Sequence, residues 1–102
     1  MGQEYEVIWS ESAGASLSEI IEYVSDRNPA AAEKLGKDIV RHVERLRVTP
    51  HLGPVYRRSE DGRTRETVCR KYRIFYDVND ELQRVEVLLI WHWARQEPNL
   101  SN

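Results

Sequence analysis

TRETVCRKYRIFYDVNDELQRVEVLLIWH, residues 64–92, contains three runs rich in β-branched and aromatic residues: Thr64 to Cys69, Tyr72 to Val78 and Val85 to His92. Side chains of that kind fit the pleated, half-buried surface of a sheet and mark strands. Only Arg70-Lys71 separates the first two runs, and the polar Asn79-Asp80-Glu81 turn opens the gap before the third. Connections this short make sequential strands antiparallel, because a parallel crossover needs about a dozen residues or more. In the last run Val85, Val87, Leu89 and Trp91 share one face by alternation, yet Leu88 and Ile90 on the other are apolar too. That pattern predicts a central strand covered on both sides.

Upstream of this block the hydrophobic period lengthens. Leu17, Ile20, Ile21 and Val24 fall at i, i+3, i+4 and i+7, with Glu19, Glu22 and Ser25 opposite, which predicts an amphipathic helix over 12–26. Asn28-Pro29 restarts the chain, Asn as an N-cap and Pro where a missing N–H costs nothing. A second helix therefore runs from Pro29 to about Arg47, burying Ala32, Leu35, Ile39, Val43 and Leu46 before Pro50, Gly53 and Pro54 stop it. At the start, Tyr5, Val7 and Trp9 alternate with Glu4, Glu6 and Ser10, broken only by Ile8, and predict a strand over 4–10. The order is β-α-α-β-β-β. It describes an α+β domain in which a helical hairpin packs on one face of a small antiparallel sheet, with Leu17, Ile20, Ile21, Leu35, Ile39, Val43, Val87 and Leu89 buried. The polar segment Gln96 to Asn102 is expected to be loosely held.

A chain of 102 residues, 40% of them hydrophobic, fits one domain spanning 1–102 and carries enough apolar mass for a core without staples. Its lone cysteine, Cys69, excludes an internal disulfide, and one Cys with three scattered His does not make a four-ligand cluster. No metal and no cofactor is expected. No apolar run approaches the roughly 20 residues of a membrane span, and the N-terminus has no recognisable export signal; a reducing, cytoplasmic address follows by default. The net charge of −2 and pI near 5.9 argue against a protein that coats nucleic acid through its overall field. The charge is polarised, however. Residues 1–26 hold six acids and no Lys or Arg, whereas residues 57–73 hold seven bases (Arg57, Arg58, Arg63, Arg65, Arg70, Lys71, Arg73) against three acids, a local +4. Such a stretch is either a solvated, salt-bridged face or a seat for an acidic partner.

Individual residues carry the same two readings. Arg73 alternates with Tyr72 and Ile74 and either pairs across strands with Glu66 or Glu86 or holds a ligand anion. His92, between Trp91 and Trp93, is a hydrogen-bonding residue at a strand end or a proton carrier. Cys69 reads as a small strand hydrophobe, since no local base or helix N-terminus would lower its thiol pKa. Three tryptophans are too many for so small a core. Trp93, with Arg95 beyond the last strand, has the composition of an interface anchor, and Arg63, Arg65 and Arg73 are the further candidates for partner contact.

Trp9-Ser10, the helix from near Ala13 with Leu17 and Ile20, RETVCRKYRIFYDV (65–78) and VEVLLIWHWAR (85–95) together resemble the RelE/ParE superfamily. These are the toxin halves of type II toxin-antitoxin modules, often labelled plasmid stabilisation proteins. The resemblance spans nearly the whole chain. Arg65-Glu66, Tyr72-Arg73-Ile74 with Tyr76, and His92-x-x-Arg95 are its most specific parts. It implies the element order already reached, a cognate antitoxin partner, and a hetero-oligomer with that antitoxin. It also implies one of two activities. Members resembling RelE cut ribosome-bound mRNA, which needs cations for the phosphorane-like charge and groups that move protons; here Arg65, Arg70, Arg73 and Arg95 would hold phosphate, and Glu66 or His92 would move a proton. Members resembling ParE inhibit DNA gyrase by protein contact. The tail QEPNLSN lacks the terminal Tyr usual in the ribonucleases, and with the HxxR ending this places the chain nearer to ParE. A module that has lost toxicity and only pairs with its antitoxin is the third option.

Overall fold

Side-chain caps set where each helix begins. The computed structural model describes residues 3–100, with β1 (Glu6–Trp9), α1 (Glu11–Ser25), α2 (Pro29–Glu44) running into a 3-10 turn at Arg45–Arg47, then β2 (Thr64–Cys69), β3 (Tyr72–Asn79) and β4 (Arg84–His92). Ser10 Oγ accepts from the Ala13 N–H at 3.0 Å and Asn28 Oδ1 from the Ala31 N–H at 3.1 Å, with Pro29 in the first turn of α2. The β-α-α-β-β-β order and the α+β class stand, and each element lies within two residues of its expected position once the 3-10 turn is counted with α2.

The sheet order is β1-β4-β3-β2. The three C-terminal strands form the expected antiparallel meander, and β4 is central. The sheet is nonetheless mixed, because β1 joins β4 in parallel, Val7 opposite Val85 and Trp9 opposite Val87. The antiparallel expectation held where short turns enforce it. Between β1 and β4 lies nearly the whole chain, so no turn fixes their relative direction.

The pairing of β3 with β4 shifts between Phe75 and Tyr76: Phe75 faces Leu89 while Tyr76 faces Val87, so Leu88 is an extra residue in β4. A β-bulge of this kind inverts the side-chain alternation beyond it. Val85 and Val87 point to the helices, and after the bulge Ile90 takes that role. Leu89 and Trp91 therefore turn to the outer face, correcting the single-face reading of residues 85–91; Leu89 is only partly buried. Ser10, the N-cap of α1, and Ser16 within it bond to backbone polar groups of β4 at and just beyond the bulge. Ser10 Oγ donates to the Leu88 carbonyl at 3.1 Å, and Ser16 Oγ accepts from the Ile90 N–H at 3.0 Å.

The core between hairpin and sheet is made by Leu35, Ile39, Val43 and Leu46 from the α2 side against Ile74, Tyr76, Val78, Val85, Val87 and Ile90. Leu17, Ile20 and Ile21, expected to be buried, pack on this cluster but remain half-exposed. The sheet is too narrow to cover both helices to the same depth, and α1 lies over β4 near the β1 edge.

After α2 the chain crosses the β2 edge. Tyr76 Oη accepts from the Gly53 N–H at 2.8 Å, and an Arg65 guanidinium nitrogen donates to the Gly53 carbonyl at 2.6 Å. A Cβ at residue 53 would lie 2.1 Å from the Glu66 carbonyl oxygen, so only glycine passes there. The tail was expected to be loose. Residues 101–102 of it lie outside the described residues, but Glu97 is ion-paired and Pro98 is buried.

Ile39→Ala should cost about 2–5 kcal/mol in urea denaturation, whereas its exposed neighbour Val40→Ala should stay within about 0.5 kcal/mol. Ser16→Ala, which leaves the Ile90 N–H without its acceptor, should cost about 1–3 kcal/mol.

Candidate functional site

The sheet face away from the helices carries Glu66 and Val68 from β2, Arg73 and Phe75 from β3, and Leu89 and Trp91 from β4. Arg73 is its centre, with a side chain only 13% exposed. Its Nε donates to Glu66, one of the two cross-strand partners expected from the sequence. Its two terminal nitrogens grip Glu97 of the tail, at 2.8 Å to Oε1 and 3.3 Å to Oε2. The Tyr56 hydroxyl donates to the same carboxylate. Tyr56 also packs edge-on against the buried Phe75, ring centroids 4.9 Å apart, and the Arg73 guanidinium lies 4.9 Å from the Phe75 centroid.

The electrostatics follow from this clasp. Hydrogen bonds from Arg73 and then Tyr56 hold the Glu97 carboxyl down to about 2, far below the ordinary carboxylate value. Hydrogen bonds to Glu66 and Glu97 push the Arg73 guanidinium up. Burial, then the Glu97 contact, raises the Tyr56 phenol. One cation thus faces two carboxylates, and its charge is spent inside the protein.

The remaining candidate residues are dispersed. His92 pairs with Tyr72, one register step from the row that joins Arg73 to Trp91, so it turns to the helix side. There its ring meets Tyr72 edge-on at 5.3 Å, and Nδ1 accepts from the Ala94 N–H at 3.1 Å. Arg65 is used by the Gly53 carbonyl, and Arg70, in the β2–β3 turn, pairs with Asp38 of α2. Arg63 is exposed in the loop before β2. Arg95 lies over the Trp91 ring, its guanidinium carbon 3.8 Å from the centroid. Trp93 is 59% exposed. Cys69 is partly buried and burial raises its thiol pKa, in keeping with a strand hydrophobe. Of the residues proposed for phosphate chemistry, the structure pairs only Arg73 with Glu66, and those two neutralise each other; Arg95, over Trp91, borders the same face, while Arg65, Arg70 and His92 are engaged elsewhere.

Tyr56 and Glu97 were missed by sequence reasoning. Tyr56 stands in a basic loop and Glu97 in a polar tail, and no local period marks either. The only local hint was an aromatic residue where the surrounding sequence is charged.

Among the described residues no helix is long and apolar enough to cross a membrane, and no group of His, Cys, Asp and Glu is placed to hold a metal ion. A family model described as ParE toxin of type II toxin-antitoxin system, parDE, matches residues 7–97. The chain belongs to the ParE toxin family. It is thus a toxin of the RelE/ParE superfamily of type II toxin-antitoxin systems. Solved structures share the fold. A chromosomal ParDE system from P. aeruginosa superposes with a TM-score of 0.73 at 22% identity, covering 89% of this chain and 98% of that one. The RelBE2 toxin-antitoxin complex of Mycobacterium tuberculosis gives 0.65 at 23% identity, over 93% and 98%. The isolated E. coli RelE toxin gives 0.58 at 21% identity, over 91% and 88%. No curated protein matches the sequence.

The Arg73–Glu97 clasp should be visible in the pH dependence of stability. Because the folded-state pKa of Glu97 is depressed from 4.5 to about 2, its contribution is full above the ordinary value and is lost as pH falls through about 2. Glu97→Gln should therefore destabilise this ParE-family toxin by about 1–2 kcal/mol at neutral pH. The gap to the wild type, measured by thermal unfolding, should close across that acid window.

Proposed function

We propose that this chain is a ParE-type toxin that acts by binding a protein, DNA gyrase, and is silenced by a cognate antitoxin with which it forms a hetero-oligomer. The observation that carries this reading is the state of Arg73. Cleavage of a phosphodiester needs a cation free to stabilise developing negative charge, with a proton-transfer group within reach of the same phosphate. Arg73 is held by two carboxylates beneath the tail, and His92 lies on the opposite side of the sheet. A negatively charged phosphate approaching Arg73 would meet Glu66 and Glu97 first.

The antitoxin has a seat on the other side. Leu17, Ile20 and Ile21 leave an apolar strip half-open along α1, suited to an amphipathic or extended segment. Of the basic stretch 57–73, Arg57, Arg58 and Arg63 are exposed and in no ion pair among the described residues, whereas Arg70 and Arg73 are committed internally. Acidic antitoxin side chains are therefore expected at the first three.

Purified toxin should inhibit gyrase supercoiling and leave ribosome-bound mRNA intact, and His92→Ala should change neither result. Cleavage of mRNA that both His92→Ala and Arg73→Ala abolish, with gyrase untouched, would instead make the chain an endoribonuclease. Arg63→Glu should weaken binding to the cognate antitoxin by about tenfold, read by titration calorimetry.

A further inference from the structure

Resting on the reading of the chain as a protein-binding toxin, we propose that the target docks on the outer sheet face at its β2–β3 turn end. Val68, Trp91 and Trp93 form the apolar centre, and Lys71 and Arg95 meet acidic side chains of that target.

Register places these residues together. Val68 pairs with Arg73 and Arg73 with Trp91, so the three form one cross-strand row on the outer face. Trp93 follows immediately, tied to the turn by its N–H on the Lys71 carbonyl at 2.8 Å. Val68 is 54% and Trp93 59% exposed, two of seven large apolar side chains exposed among the described residues. Trp91 is fixed from two sides: its Nε1 donates to the Gln96 carbonyl at 2.8 Å, and Arg95 covers its ring. An aromatic anchor already held in place loses little freedom on binding, and Trp and Arg are the residues most often found at the energetic centre of an interface.

Charge selects the occupant. Arg70 and Arg73 are paired with Asp38, Glu66 and Glu97. Lys71 and Arg95 are in no ion pair among the described residues, so the uncommitted charge around the patch is positive. A second copy packed through this same face about a two-fold axis would bring these cations against themselves. Single-stranded nucleic acid fits less well, since Glu66 and Glu97 stand beside the one arginine at the centre of the face and would repel its phosphates. An acidic protein surface with apolar side chains at its centre matches both the charge and the exposed valine and tryptophan.

The test uses the full-length toxin with Trp93→Ala, Val68→Asp and Lys71→Glu made singly. Each is induced in cells to score growth arrest, then purified and titrated against DNA gyrase and against a short single-stranded RNA. Because all three positions are exposed, melting temperatures should stay within about 4 °C of the wild type; should Val68→Asp unfold, the polar exchange at Lys71 still decides. The expected result is loss of growth arrest and at least about tenfold weaker gyrase binding in every folded variant. Folded variants that arrest growth like the wild type would overturn the proposal, as would a wild type that arrests nothing, or RNA binding that depends on these residues. A wild type that arrests growth without touching gyrase, through a face these variants disable, would keep this surface and remove gyrase as the target.

Discussion

The extra residue at Leu88 is the constraint on which the two faces of the sheet depend. Without it, strict alternation would carry Leu89 and Trp91 to the helices and leave Ile90 outside. With it, Ile90 closes the core and Trp91 is turned out beside Arg73. A bulge in a central strand leaves backbone groups that must be satisfied, and Ser10 at the N-cap of α1 and Ser16 within it supply the partners for Leu88 and Ile90. The helix that packs on β4 is thus also the element that stabilises the kink in it. One inserted residue couples the placement of α1 to the composition of the opposite, functional face.

That opposite face is governed by how its charges are spent. Arg73, Glu66, Glu97 and Tyr56 come from β3, β2, the tail and the loop after α2; the two carboxylates meet at the guanidinium and Tyr56 joins through Glu97. A largely buried cation with a single carboxylate is a neutral pair; the second carboxylate makes the cluster net negative and turns it into an internal fastener. The cost of breaking such a cluster is larger than its net worth, because removing one member leaves charges desolvated and unpaired. It anchors the tail across the sheet, and the tail in turn positions Trp91 through Gln96. The same arrangement that disfavours a phosphate at the centre leaves aromatic and aliphatic surface at the turn end.

Much of this was legible in the sequence. Strand and helix periods are local properties, enforced by which side chains must face the core, so the extents of the helices and of β2, β3 and β4 could be read directly. The Arg73–Glu66 pair was readable as well, because a two-residue turn fixes the register of β2 on β3 and hence which side chains lie on one diagonal. The partial exposure of Leu17, Ile20 and Ile21 was not: an amphipathic stripe reports which face is turned inward, and the depth of burial depends on how far the sheet extends beneath it.

What the sequence by itself determined is the element order, the antiparallel meander, the helical hairpin with α2 at its most buried side, and membership of a toxin family through motifs spread along the chain. The tertiary structure alone decided three things. It set β1 parallel to β4, since no short connection constrains strands at opposite ends of the chain. It inverted the faces of β4, since a bulge exists only relative to a partner strand. It fastened Glu97 to Arg73 and to Tyr56, since contacts between residues 24 and 41 positions apart leave no period in the sequence and form only once the sheet has brought them together.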